Sequence, residues 1–240
     1  MDFESLLKAP SFVINLSRRP DRYSHTLSEL QKAGFMDIRR FDAVDGSDAT
    51  VLEEAWSSTI PRPVVNLHYD AEFNTYKGKQ GIFLSQVRLW KHIIDMKLPY
   101  ACIFEDDISF HAQWSALAPL YFTKTPIDWD VLFMGSQMEF KSTAHIERGP
   151  VFCLHAYMVT LEGARKLYQL VMDQAYTSGV YTIDTMLKVH METRSPSFSW
   201  YVWNGKPFHD PKCEMAKGWT KRNQGLVFQE EHFGSDVREY

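Results

Sequence analysis

A chain of 240 residues with 45% hydrophobic and 23% charged side chains can build one α/β domain with a sizeable core, which excludes a disordered protein. Its formal charge is -4 and its basic residues are scattered, so it lacks the concentrated basic face that grips nucleic acid regardless of sequence. No apolar run is long enough for a transmembrane segment.

In chain order, Met1 to Pro10 carries Asp2 and Glu4 and shows no secretory pattern, so a soluble, cytoplasmic protein is expected. Ser11 to Leu16 reads as a short buried strand. Arg18-Arg19-Pro20-Asp21-Arg22 leads into a helix over Tyr23 to Ala33, with Pro20 tolerated in its first turn and Gly34 as its stop. Ile38 to Phe41 is a second strand, closed by Asp42 to Gly46. Strand, helix, strand is the opening of a nucleotide-binding α/β unit. Residues 57 to 79 read as irregular around Pro61 and Pro63. From Gly81 the apolar residues Ile82, Val87, Leu89, Trp90, Ile93 and Ile94 follow a helical period that Pro99 ends.

Tyr100 to Phe104 is then a nearly continuous apolar strand. Cys102 within it reads as a buried, inert thiol; Cys102, Cys153 and Cys213 have no metal-type spacing and cannot all pair, which fits a reducing compartment. Trp129 to Met134 is another strand, ending at Gly135. Phe152 to Thr160 is strand-like and Glu162 to Met172 helical. A shorter helix starts near Asp184, which Thr182 or Asp184 itself can cap. The last forty residues show little periodicity and read as an irregular tail wrapped over the domain.

The strand ending at Phe104 runs straight into Glu105-Asp106-Asp107. Like charges side by side repel and resist burial, so the cluster is locally unfavourable. In an extended chain Glu105 and Asp107 share a face, about 6–7 Å apart, while Asp106 points oppositely. Such a pair can hold a hard divalent cation whose shell substrate phosphates complete. The carboxyl end of a strand is also where open α/β sheets place ligands. The alternative is a solvated acidic turn.

In order and spacing, several short pieces resemble glycosyltransferase family 25, which contains lipopolysaccharide galactosyltransferases and collagen β-galactosyltransferases. They are Val13 to Arg22, Phe41 to Gly46, Gly81 to Trp90, Ile103 to Ile108, Asp130 to Gly135, and Ala156-Tyr157 with Gly163 to Leu167. Ile183-Asp184, Val227 to Gln229 and Ser235-Asp236 complete the set. The resemblance implies a GT-A fold, a Rossmann-like mixed central sheet flanked by helices, as a single domain over residues 1–240. Residues 1–110 would form the nucleotide-binding half, and 111–240 the acceptor side and tail.

It also implies a UDP-sugar donor, Mn²⁺ or Mg²⁺, and a glycan or glycoprotein acceptor, with galactose passed by one inverting displacement. By the same resemblance Asn15, Leu16, Arg18 and Arg22 lie beside the nucleotide, Asp42 and Asp45 approach the uridine, and Ser85 and Asp106 belong to the donor site. Glu105 and Asp107 face the metal, His209 is a third candidate ligand, and Asp184 is the candidate general base. The chain departs from the family in carrying Ser85-Gln86 where Ser-His is usual. Lys79-Gln80 replaces an acidic residue ahead of Gly81.

Each assignment has a plainer alternative. Arg18 and Arg22 suit phosphate oxygens but also make an ordinary basic helix start, and Arg19 reads as solvated. Asp184 can be a base, an N-cap, or both. Asp130 reads as structural, or as a support behind the metal site. His209 sits in a Pro-flanked turn that suits a surface residue. His155 can line the acceptor side or simply be packed. Lys217 to Arg222 can close as a lid or stay a solvated loop. The aromatics Trp200 to Trp203 read as core. Two rival functions stand beside a transferase: a silent glycan- or nucleotide-binding relative, and a metal-dependent nucleotidyltransferase or phosphohydrolase, which would be expected to carry a Gly-rich phosphate loop or further His/Asp metal ligands, and the sequence shows neither.

Overall fold

The computed structural model describes residues 2–60, 73, 75–137, 140, 142–193, 198–208, 210, 224–230 and 232–234. Asp2 caps α1 (Phe3–Leu7) by accepting from the Ser5 N–H. β1 (Pro10–Asn15) is followed by α2 (Pro20–Ala33), which opens on its proline and closes at Gly34 in the left-handed region at φ 95°. β2 (Asp37–Asp42) leads to α3 (Ala49–Thr59), capped by the Asp48 carboxylate at the Thr50 and Val51 N–H groups. Next come α4 (Lys77–Asp95), β3 (Tyr100–Glu105), β4 (Ile108–Phe110) and α5 (Trp114–Lys124). β5 (Val131–Phe133), β6 (Gly135–Ser136), β7 (Ile146–Glu147) and β8 (Ala156–Thr160) follow. α6 (Leu161–Thr177), α7 (Ile183–Glu192), β9 (Trp200–Trp203), β10 (Gln224–Gly225) and β11 (Val227–Gln229) complete the order.

Seven strands form the central sheet in the order β2-β1-β3-β8-β5-β9-β7. β1 is parallel to β2 and to β3; β8 runs antiparallel between β3 and β5; β9 is parallel to β5. Alternation along the strands separates two cores. Phe12, Ile103 and Tyr157 pack on one face against residues of α3, α4, α6 and α7, with Trp90 fully buried among them. Val13, Phe104 and Met158 pack on the other against α1, α2 and α5, through Leu6, Leu30, Trp114 and Tyr121. Each large apolar side chain so buried contributes about 1.5–3 kcal/mol, which is why the alternation fixes the register. No helix among the described residues is long and apolar enough to cross a membrane.

Several elements differ from the sequence expectations. The helix read from Gly81 begins at Lys77. The strand read to Met134 stops at Phe133, and the one read from Phe152 is confined to Ala156–Thr160, after Cys153 turns the chain at φ 68°. The tail is not irregular throughout. Trp200–Trp203 is an internal strand of the central sheet, and Trp200 and Trp203 are core as expected. Further on, β10 pairs with β6 and β11 with β4, so the chain's end is stitched to segments that follow β3 and β5.

The amino end of α4 is pressed backbone to backbone on the loop after β2. A Cβ on Gly46 would lie 2.1 Å from the Lys77 carbonyl oxygen, and one on Gly81 2.4 Å from that of Val44. Only glycine allows that approach. It brings α4 to the end of the sheet where β1, β2 and β3 all finish.

Candidate active site

β3 ends at Glu105, and Asp106-Asp107 form a tight turn before β4. The turn corrects the alternation expected of an extended chain. Asp106 does not point away from its neighbours: its Oδ1 and the Asp107 Oδ2 accept from the same Arg22 nitrogen, at 2.6 and 2.7 Å. Arg22 projects from the first turn of α2 and is itself buried. Asn15, the last residue of β1, donates to the other Asp106 oxygen at 2.6 Å and to the Arg19 carbonyl at 2.9 Å. A single amide nitrogen of Gln229 lies 3.3 Å from Glu105 Oε2 and 3.4 Å from Asp107 Oδ2, and its amide oxygen accepts from Gln137. The Glu230 N–H donates to the Asp107 carbonyl at 2.6 Å. All three acids therefore converge, with Glu105 and Asp107 sharing a neighbour.

Among the described residues, the three acids outweigh the positive charge that reaches them from Arg22 and Arg19. Burial, then the Asp107 and Asp106 charges, push the Glu105 carboxyl up to about 8, with Asp184 adding to the rise and Arg22 opposing it. Burial likewise raises Asp107, to about 6, although Arg22 pulls it back. Asp106 rises from burial against the pull of Arg22 and Asn15. The second Asp107 oxygen, Oδ1, is buried with no hydrogen-bond partner among the described residues. An orphaned carboxylate oxygen next to a half-buried glutamate fits the hard oxygen ligands that a divalent cation takes. No group of three or more His, Cys, Asp or Glu suited to a metal occurs among the described residues.

Around the acids, the Leu16 carbonyl accepts from the Arg19 N–H, closing the turn that follows β1. Arg18 pairs with Asp45 at 2.9 Å; burial works against the Asp45 charge, but Ser47 and Arg18 hold its carboxyl below the usual range. Asp42 is largely exposed and pairs with Arg40 at 3.0 Å. Ser85 is buried, and its hydroxyl accepts from the Val44 N–H at 2.8 Å while donating to the Gly81 carbonyl at 2.6 Å. It thus fastens the β2 loop to α4 and has no hydrogen left to offer a ligand. Arg22 likewise serves the acids from beneath instead of lying open to a nucleotide, and Arg19 is not a free solvated charge, since it pairs with Asp21.

Asp184 is the second residue of α7, half-buried, with its Oδ1 accepting from the Thr185 N–H at 2.9 Å. Its charge makes the smallest of the contributions that act on the Glu105 carboxyl. Asp130 is structural: both oxygens accept from Lys166, at 2.9 and 2.8 Å, and one from the Ser199 N–H. His155 is packed at full burial with its Nε2 at the Val227 carbonyl, and burial lowers it to about 4. His209, Lys217 to Arg222, Ser235 and Asp236 lie outside the described residues. Sequence reasoning gave no role to Gln229 or Gln137. The available signal was the position of Gln229 within the matched piece Val227 to Gln229.

The family model described as glycosyltransferase family 25 (LPS biosynthesis protein) matches residues 8–187. The chain is 30% identical over 169 residues to procollagen galactosyltransferase 2 of Mus musculus, covering 65% of this chain and 27% of that protein. It is also 30% identical over 171 residues to a probable inactive glycosyltransferase 25 family member 3 of Bos taurus, covering 65% and 28%. The chain thus spans little more than a quarter of these relatives' length. Among solved structures, a glycosyltransferase involved in the glycosylation of the major capsid of PBCV-1 aligns with a TM-score of 0.46 at 8% identity, over 94% of this chain and 92% of that one. The seven-stranded sheet of mixed direction, with helices on both faces, is an α/β fold. By its match along most of its length, the chain belongs to glycosyltransferase family 25.

Proposed function

We propose that the chain transfers a hexose, galactose by preference, from a UDP-sugar to a hydroxyl of a glycan or glycoprotein, with Mn²⁺ or Mg²⁺ held between Glu105 and Asp107. One observation carries this reading: buried acids at the carboxyl end of β3 that, among the described residues, outweigh the positive charge reaching them and leave Asp107 Oδ1 unpartnered. When bound, the cation would offset the negative charge that gathers on the diphosphate as the glycosidic bond breaks. Arg22 and Gln229 hold the two carboxylates in place. Asn15, Leu16 and the Arg18–Asp45 pair shape the nucleotide side of the site, with Asp42 at its outer edge. Asp184 takes the proton from the acceptor hydroxyl as its oxygen bonds the anomeric carbon and UDP departs, one displacement with inversion.

A second reading, nucleotide or glycan binding without turnover, is favoured by the relative whose name marks it as probably inactive. A panel of UDP-sugars with Mn²⁺, scored for UDP release and thermal shift, separates the two. The transferase reading expects turnover with at least one sugar, and Asp107→Ala to cut UDP release about 100-fold or more. Thermal shifts without UDP release in the presence of glycan acceptors support the silent reading. Unchanged turnover in Asp107→Ala rules out the metal assignment.

A further inference from the structure

Trp90 and Gln86 stand one turn apart on α4, facing Tyr157 of β8. An indole N–H can only donate, so Trp90 gives its hydrogen to the Tyr157 oxygen, at 2.8 Å. The phenol hydrogen then goes to Gln86 Oε1, at 2.6 Å. This chain decides which way the Gln86 amide faces: its oxygen is committed to Tyr157, so its nitrogen points away. Gln86 is 1% exposed, and that Nε2 has no hydrogen-bond partner among the described residues. A buried amide donor held in one orientation and left unmade is unfavourable, and natural folds keep few of them without a reason.

Its surroundings supply the reason. Ser85, the preceding residue, is bonded to the loop after β2 at the ligand end of the sheet. Tyr157 lies opposite Ile103 on the neighbouring strand, and Glu105 follows two residues along on the same face. A transferred sugar must lie between the group that leaves, at Glu105 and Asp107, and the group that takes the acceptor's proton, at Asp184. An uncharged amide with its oxygen already occupied offers two N–H donors and no charge. That suits a sugar hydroxyl oxygen better than a diphosphate.

We propose that Gln86 is a specificity-determining residue whose side-chain amide donates to a hydroxyl of the transferred hexose, with Tyr157 as the positioning residue that fixes its orientation. The proposal rests on the transferase reading above. Titrations of UDP, UDP-galactose and UDP-glucose in the presence of Mn²⁺ test it on wild type, Gln86→Met and Tyr157→Phe. In Gln86→Met, UDP should bind within about 2-fold of wild type, while the preferred UDP-hexose weakens about 10-fold or more and the preference between epimers shrinks. Tyr157→Phe should show a smaller loss of the same kind, because the amide is then free to turn. If Gln86→Met does not fold, that split in Tyr157→Phe decides. Equal weakening of UDP and both UDP-hexoses, or no change in any, overturns the proposal. Failure of wild type to bind UDP at all overturns the transferase reading first, and the proposal with it.

Discussion

Replacing Arg22 with methionine is expected to lower the free energy of unfolding at pH 8 by about 3–5 kcal/mol, the usual result of removing one partner from a buried ion pair. The guanidinium side chain is 9% exposed, and the Asp106 and Asp107 side chains it holds are 10% and 8% exposed. Methionine fills the space with similar flexibility, so the loss is electrostatic and not a cavity effect. Without Arg22 both carboxyls must titrate higher still in the folded protein, since its charge is what now pulls them down. A carboxyl raised in the folded state binds more protons there than in the unfolded chain, so its stabilising contribution is lost as pH rises through the folded value. The deficit of the variant should therefore narrow on acidification toward pH 5. Denaturant unfolding of both proteins from pH 5 to 8 measures this. A loss below about 1 kcal/mol at every pH would show that the acids do not depend on Arg22.

Asp184→Asn is expected to leave the fold and UDP binding intact and to reduce transfer about 100-fold or more, the scale of general-base removal. Asparagine keeps the side-chain oxygen that accepts from the Thr185 N–H, so α7 should start as before. Removing the carboxylate also removes one of the charges that oppose ionisation of Glu105. Metal affinity should then be equal or slightly tighter. A change confined to turnover, with Mn²⁺ and UDP binding retained, can be read from single-turnover assays beside calorimetric titration. Full transfer by the variant would remove Asp184 from the mechanism; loss of UDP binding instead would make it part of the donor site.

What the sequence disclosed follows from where local signals agree with tertiary demands. β1, α2 and β3 carry an apolar strand, a proline at a helix start, a glycine at a helix end and an acidic strand terminus, and each lies within two or three residues of where it was expected. α5 gives no clear local signal. Its stripe of Trp114, Leu117, Ala118, Tyr121 and Phe122 has helical spacing, but Pro119 sits inside it and apolar residues also fill the gaps. β4, β10 and β11 are two or three residues long and exist only through pairing between distant segments, which no local pattern encodes. The acids were found, but their geometry was not. Alternation holds to Glu105 and fails at Asp106, because the chain turns there to let one arginine reach two carboxylates. Gln86 was visible only as a departure from the family pattern. Its orientation depends on Tyr157, 71 residues away.

Titration of Mn²⁺ followed by its paramagnetic resonance, with and without UDP, tests the metal-held diphosphate most directly, on wild type and on the paired replacements Glu105→Gln and Asp107→Asn. Wild type should bind one Mn²⁺ whose affinity tightens when UDP is added, and the paired variant should lose that tightening with a drop of about 100-fold or more, beyond what a supporting residue costs. Equal Mn²⁺ binding by both proteins, with or without UDP, would contradict the account.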